Sequence, residues 1–266
     1  MRLPVPFRKS RPQVAVVRLS GIIGGGGRAA SLTDATLAGT LERAFSRRKP
    51  DAVAIVINSP GGSPVQSSLI SARMRRLADE KKIPLFAFVE DLAASGGYWL
   101  AAAADEIWVD PMSVVGSIGV ISASFGAHDF IQRYGIERRV YTAGTSKSML
   151  DPFRPENPDD VARLKGILED IHGGFIDHVK TRRAGKLDET ADLYNGNVWV
   201  GARAVSVGLV DGTGHLIPKM KERFGDEVRF LAYGPRRGLL QRIGATGTDA
   251  VLSAVEERMM FARFGA

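Results

Sequence analysis

Three short segments carry residues whose types and spacing suit nucleophilic chemistry. The first is Asn58-Ser-Pro-Gly-Gly-Ser63, which comes after the apolar run Ala52 to Ile57. Its glycines permit positive φ angles and leave backbone N–H groups unobstructed, so Gly61 and Gly62 can face a developing negative charge near a helix N-terminus. The same segment also reads as a plain tight β-α turn. The second is Ala94-Ser-Gly-Gly-Tyr98, between a strand-like run and a small apolar helix. A serine at such a junction stands on the carboxyl edge of a parallel sheet, where open α/β sheets place ligands. There Ser95 is a candidate nucleophile and the adjacent Gly96 N–H a second oxyanion donor. A helix cap with two glycines for close packing explains the same letters. The third is Tyr141 to Ser148, with Lys147 at the end of a strand-like run. A lysine buried beside a serine loses its charge and becomes a general base, a known variant of triad chemistry. Taken alone, Lys147 is an ordinary surface lysine.

The other candidate bases are histidines. His128, His172, His178 and His215 stand in a polar turn, an amphipathic helix (two of them) and a glycine-rich turn. No local motif singles one out, although spacing alone leaves a distant triad open.

The elements that must position these residues alternate. Val14–Leu19, Ala52–Ile57, Ile83–Val89, Glu106–Val109, Gly119–Phe125 and Ile136–Thr142 read as strands. Leu32–Arg47, Pro64–Asp79, Gly96–Ala104 and Asp159–Arg183 read as helices. Ser63 is an N-cap, Pro64 takes the first helical position, and Gln66 is the expected reciprocal capping partner. The alternation predicts an α/β fold around a mostly parallel sheet. From about Pro218 the pattern weakens. Asp249–Phe264 then shows helical spacing, a tail helix suited to packing on the body or on another subunit.

Composition narrows the class. The chain has 266 residues, a net charge of +7 and no cysteine, which excludes disulfides, thiolate chemistry and cysteine-ligated zinc. The basic doublets (Arg47-Arg48-Lys49, Arg75-Arg76, Arg138-Arg139, Arg236-Arg237) are scattered and lack interleaved aromatics, so they read as solvated faces rather than a nucleic-acid groove. No apolar run approaches the roughly 20 residues that span a bilayer. The basic stretch Met1 to Gln13 lacks the apolar core of a secretory signal and reads as a flexible leader able to touch an anionic surface at most. The expected location is cytoplasmic, with peripheral attachment at a membrane as the variant. Neither a cofactor nor a metal is expected.

Taken together, in order, these segments resemble peptidase family S49, that of signal peptide peptidase A and its shorter relatives. Val115-Gly-Ser-Ile-Gly-Val120, Ala143-Gly-Thr-Ser-Lys147 with Pro152-Phe153, and Gly196-Asn-Val-Trp199 through Asp211 complete the match. The resemblance implies a crotonase/Clp-protease-like spiral of β-β-α units with an additional C-terminal helix. It divides the chain into a leader (1–13), a peptidase domain (14–217) and an assembly-related extension (218–266). It implies a serine endopeptidase with Ser95 as nucleophile, Lys147 as base, Ser117 as the hydroxyl orienting the lysine, and Gly61 or Gly62 with Gly96 as oxyanion hole. Its substrates would be signal-peptide remnants or other small hydrophobic peptides. It also implies a homo-oligomer, an octameric ring in one form, with sites shared between neighbours. Two rivals remain. A crotonase-type acyl-CoA enzyme would use Glu90 and Asp91 as acids. A non-catalytic ring would serve as a scaffold.

Overall fold

The computed structural model describes residues 11–24, 32–144, 146–234 and 258–265. The chain forms two compact units, one of Met1–Ile118 with Asp177–Ala266, the other of Gly119–Ile176.

The first unit is built on one sheet. Its strands are β1 (Gln13–Ser20), β2 (Ala52–Ser59), β3 (Leu85–Ala94), β4 (Glu106–Val109), β5 (Val114–Gly116), β6 (Val198–Val200), β7 (Gly212–Thr213) and β8 (Arg229–Tyr233). They run in the order β6-β5-β3-β2-β1-β8, and β4 joins β3 to β7. Every pairing is parallel except β5 with β6. The continuous apolar sequence of β2 reflects burial of both faces of a parallel sheet. On one face Val14, Ala52, Ala54, Phe86 and Phe88 pack with Met220 and Val228. On the other, Ala15, Val17, Val53, Ile55 and Ile57 are equally buried. Helices α1 (Asp34–Ser46), α2 (Pro64–Lys81) and α3 (Gly96–Ala102) account for that second layer with Leu41, Phe45, Ile70 and Met74. The first layer includes α7 (Leu216–Phe224); α6 (Gly201–Ser206) precedes β7.

β3 determines where the chemistry can lie. Its first half (Phe86–Val89) pairs with β4, and its last residues (Leu92–Ala94) pair with β5. Against β2 the register slips between Ile57 and Ser59, so Glu90 and Asp91 form a bulge. Such an irregularity bends a strand and re-aims the residues beyond it. Here Ser95 lies just beyond it, at the end of β3.

The second unit holds α4 (His128–Arg133) and most of α5 (Pro158–Arg182), the helix that returns the chain to the first unit. The strands expected at Gly119–Phe125 and Ile136–Thr142 do not form. Both segments are irregular, and Ile121, Phe125, Ile136 and Tyr141 are exposed. Alternating apolar residues make a strand only when a ladder partner is present, and none pairs with them among the described residues.

Two smaller expectations are corrected. Ser63 does cap α2, its hydroxyl accepting from the Gln66 N–H at 3.4 Å, but Gln66 Oε1 accepts from the Asp34 N–H instead of closing a capping box. The complete capping box belongs to α1, between Thr33 and Thr36. The weak pattern after Pro218 conceals α7 and β8; Pro218 lies in the first turn of α7, where a missing N–H costs nothing. Of the tail helix expected at Asp249–Phe264, the part before residue 258 lies outside the described residues, as does the leader up to residue 10; residues 258–262 are helical.

Candidate active site

Ser95 is the turn between β3 and α3. Its φ of 51° and ψ of −122° mirror the extended region, a conformation glycine adopts readily and an L-residue only under constraint. It occupies the N-cap position of α3, yet its side chain makes no capping hydrogen bond. The helix-cap explanation of this serine is therefore removed by the geometry. The backbone is clamped on both sides: the Ser95 N–H donates to Gly116 O at 2.8 Å, and Ser95 O accepts from the Trp99 N–H at 3.0 Å. Nucleophile elbows hold a serine in a comparable way, at a sharp and strained strand-to-helix turn, and Ser95 is half-buried.

The glycine loop lies against this turn. A Cβ built on Gly61 would come within 2.7 Å of the Gly96 nitrogen and 2.9 Å of Ser95 Cβ, so only a glycine fits there. Gly61 and Gly62 both have positive φ, 101° and 142°. The Gly96 N–H is the first of α3, one of the four that a helix leaves without an internal acceptor. Ser117 comes directly after Gly116, the partner of Ala94 in the β3–β5 ladder. It too has a positive φ, 52°, and its N–H donates to Asn197 O at 2.7 Å. The structure thus gathers Ser95, Ser117, Gly61, Gly62 and Gly96 at one end of the first unit's sheet.

Lys147 belongs to the second unit. It lies in a turn rather than at a strand end, its N–H donating to Gly144 O at 3.3 Å, and its side chain is exposed within the chain. The expectation of a buried lysine at the end of a strand does not hold for the single chain, because the strand before it does not form.

The first unit's histidines are engaged elsewhere. His178 stacks on Trp99 with ring centroids 5.2 Å apart and places Nε2 3.1 Å from Trp99 O. Burial holds its pKa below the ordinary value. His215 pairs with Asp110 at 2.8 Å, and this contact is the main cause of the lowered pKa of Asp110. Glu90 forms an ion pair with Arg18, and Asp91 accepts from Asn58 Nδ2 at 2.5 Å. Arg18, Asn58, Glu90, Asp91, Asp110 and His215 line a cavity of about 1010 Å³ that does not include Ser95. Among the described residues no cluster of three or more His, Asp or Glu side chains is arranged to hold a metal.

Behind the elbow lies a buried polar network that sequence reasoning misses. Arg183, 1% exposed, donates twice to Gly208 O and pairs with Asp211 at 2.6 Å. Tyr98, on the first turn of α3, donates to Leu209 O at 2.7 Å, and burial raises its pKa. The segment 208–211 therefore anchors α3 from below. The available signal is the run Ala202 to Asp211, whose residues carry part of the family resemblance without disclosing a supporting role.

The sequence profile of peptidase family S49 matches residues 77–222, which include Ser95, Ser117 and Lys147. The chain belongs to peptidase family S49. A protein of Brucella melitensis named as a Na(+)/H(+) antiporter NhaA is 47% identical over 281 residues, covering 99% of this chain but only 38% of that protein. A putative protease of Methanocaldococcus jannaschii is 33% identical over 162 residues, 61% of this chain and 51% of that protein. A putative protease of Synechocystis is 28% identical over 210 residues, 79% of this chain and 73% of that protein. The chain thus spans 38% of the Brucella relative and about half of the Methanocaldococcus one. No helix among the described residues is long and apolar enough to cross a membrane.

Proposed function

We propose that this chain is a serine endopeptidase acylated at Ser95. The observation that carries the reading is an N-cap serine that does not cap, held at a strained positive φ against a glycine loop. The Ser95 hydroxyl attacks a peptide carbonyl, the N–H groups of Gly96 and the Gly61-Gly62 loop stabilise the oxyanion, and water releases the acyl-enzyme. Lys147 is the base and Ser117 the hydroxyl that orients its amine. A base working near neutral pH needs an uncharged amine, which exposure to water disfavours. Lys147 is exposed on its own unit. Burial of Lys147 on assembly of several copies is therefore part of the proposal, with Ser95 and Lys147 contributed by neighbours. The exposed Phe125, Phe130, Tyr134, Ile136 and Tyr141 of the second unit supply apolar surface for that assembly. The crotonase/Clp-type spiral, the ring, and a substrate class of small hydrophobic peptides including signal-peptide remnants belong to the same proposal. The antiporter name of the Brucella relative concerns a protein of which this chain matches a minor part, and the peptidase reading rests on the S49 match.

The test is labelling with a serine-directed phosphonate, located by peptide mass spectrometry, beside turnover of a fluorogenic peptide. The expected result is label at Ser95 alone, lost in Ser95→Ala, with turnover abolished in Lys147→Ala. Label at another serine, or full activity in Lys147→Ala, overturns the assignment.

A further inference from the structure

We infer that Ser59 is a positioning residue for the oxyanion loop: its buried hydroxyl engages the Gly61 amide and so turns the Gly62 amide, with that of Gly96, toward the substrate oxygen. The inference rests on Ser95 as nucleophile and goes beyond it, because it selects between the two loop glycines and names the group that fixes the choice.

Ser59 ends β2 and is fully buried, in a strand that is otherwise apolar up to Ile57. A buried hydroxyl must be satisfied, and this one is used twice. It donates to Gly21 O at 2.7 Å and accepts from the Gly61 N–H at 3.2 Å. The Gly61 amide is therefore occupied and faces Ser59 rather than the elbow. The neighbouring groups are occupied as well. Gly61 O accepts from the Ile23 N–H at 2.8 Å, and the Ser63 N–H donates to Ile23 O at 2.8 Å. These two bonds make a parallel bridge between Ile23 and Gly62. In such a bridge the flanked residue directs its own N–H to the opposite edge of the strand. A Cβ on Gly62 would collide with Ile23 O at 2.0 Å, so closely does Ile23 cover the near edge. Gly61, the residue before it, lies directly against Ser95 and Gly96. The Gly62 amide is the loop donor this geometry selects.

Ser59 also fixes the other half of the hole. A Cβ on Gly97 would lie 2.4 Å from Ser59 O, so the first turn of α3 rests directly on the Ser59 backbone. One residue thus sets the distance between the loop and the helix that carry the two donors. Without its hydroxyl the Gly61 N–H loses its acceptor in a dry interior, and the Pro60–Gly61 peptide turns to find another, carrying Gly62 with it.

The experiment compares wild type, Ser59→Ala and Ser59→Cys on a fluorogenic peptide and with a peptide aldehyde, whose bound oxyanion uses the same donors. Loss of a single oxyanion donor costs about 100- to 1000-fold in kcat, and a donor displaced rather than deleted is expected to cost about 10- to 100-fold. Ser59→Ala should lower kcat by that factor, leave KM within about threefold, and weaken aldehyde inhibition in parallel. Ser59→Cys, with a weak acceptor of similar size, should recover part of the loss. Wild-type kcat and aldehyde affinity in a folded Ser59→Ala overturn the inference, whatever the change in thermal stability. If Ser59→Ala does not fold, unchanged kcat in Ser59→Cys overturns it equally. A wild type that neither turns over peptide nor labels at Ser95 overturns the active-site reading itself, a distinguishable failure.

Discussion

Replacing Ser95 by glycine should leave a more stable protein than replacing it by alanine, although both variants lack the hydroxyl. The difference isolates the backbone. At φ 51° and ψ −122° an L-residue carries a steric penalty that for such regions is about 1–3 kcal/mol. Alanine keeps that penalty and glycine relieves it. Against this, glycine gives the unfolded chain more freedom, which costs about 0.5–1 kcal/mol relative to alanine. No capping bond is lost in either variant, because Ser95 makes none. The net expectation spans about 0–2.5 kcal/mol in favour of Ser95→Gly, centred on about 1 kcal/mol. For a chain of this size each kcal/mol moves Tm by roughly 2–4 °C, so a separation of a few degrees is expected. Urea and thermal unfolding of both variants at equal protomer concentration measure it, since assembly shifts apparent stability. If Ser95→Ala exceeded Ser95→Gly in stability, the turn would not be strained, and there would be no basis for holding that the chain keeps this serine for its hydroxyl.

Gly61→Ala places a methyl 2.7 Å from the Gly96 nitrogen at a φ of 101°. It should lower kcat/KM by about 100-fold or more through displacement of the donors. Gly185→Ala is the control, with a φ of 72° and nothing within 4 Å among the described residues; it should lose stability and keep activity. Arg183→Ala leaves Asp211 without its buried partner and should cost about 3–5 kcal/mol in urea unfolding. Asp211 also sets an acid limit. Burial pushes its pKa up, but Arg183, Lys186 and the Ile107 N–H outweigh that and hold it below its ordinary value of 3.8. A depressed carboxylate contributes stability above its unfolded pKa, lost as pH falls through the folded value. Stability should therefore decline below about pH 4, less steeply in Arg183→Ala. His178 has the opposite charge chemistry and the same direction: burial lowers its pKa from 6.5, so the unfolded chain protonates first. Thermal stability should fall as pH drops below 6.5, and His178→Gln should flatten that slope in Tm measured from about pH 7.5 to about pH 5.

The parts of the fold that can be read from sequence are those in which local chemistry and burial agree. Ala52–Ile57 is apolar throughout because both faces of β2 are covered, and the bounds read for Glu106–Val109 are those of β4 itself. Ser63 and Pro64 announce the start of α2 through a hydroxyl and a fixed φ. The failures have one cause, which is that pairing is not a local property. Gly119–Phe125 and Ile136–Thr142 alternate as strands do but lack ladder partners among the described residues, whereas β8 pairs with β1 from the far end of the chain. At the site, residue type marks Ser95 and the glycines, and their adjacency is legible as two β-α turns of one sheet. The role of Ser59 is not, because a serine at the end of an apolar strand looks the same whether its hydroxyl faces solvent or clamps a loop.

Of the cap-and-packing explanation of Ser95-Gly96-Gly97, the cap fails at Ser95 and the close packing holds for the two glycines. Gly96 and Gly97 do not have positive φ, so neither is a glycine for the sake of its backbone. They are glycines because a Cβ would meet Ser67 Oγ at 2.3 Å or Ser59 O at 2.4 Å. Close packing is their whole requirement. The strained conformation falls instead on Ser95, where glycine would be the easier residue and serine stands. A chain selected only for a tight turn has every reason to place its glycine there. A hydroxyl kept at a strained backbone position, with no capping bond to account for it, is the pattern expected of a nucleophile and not of a cap.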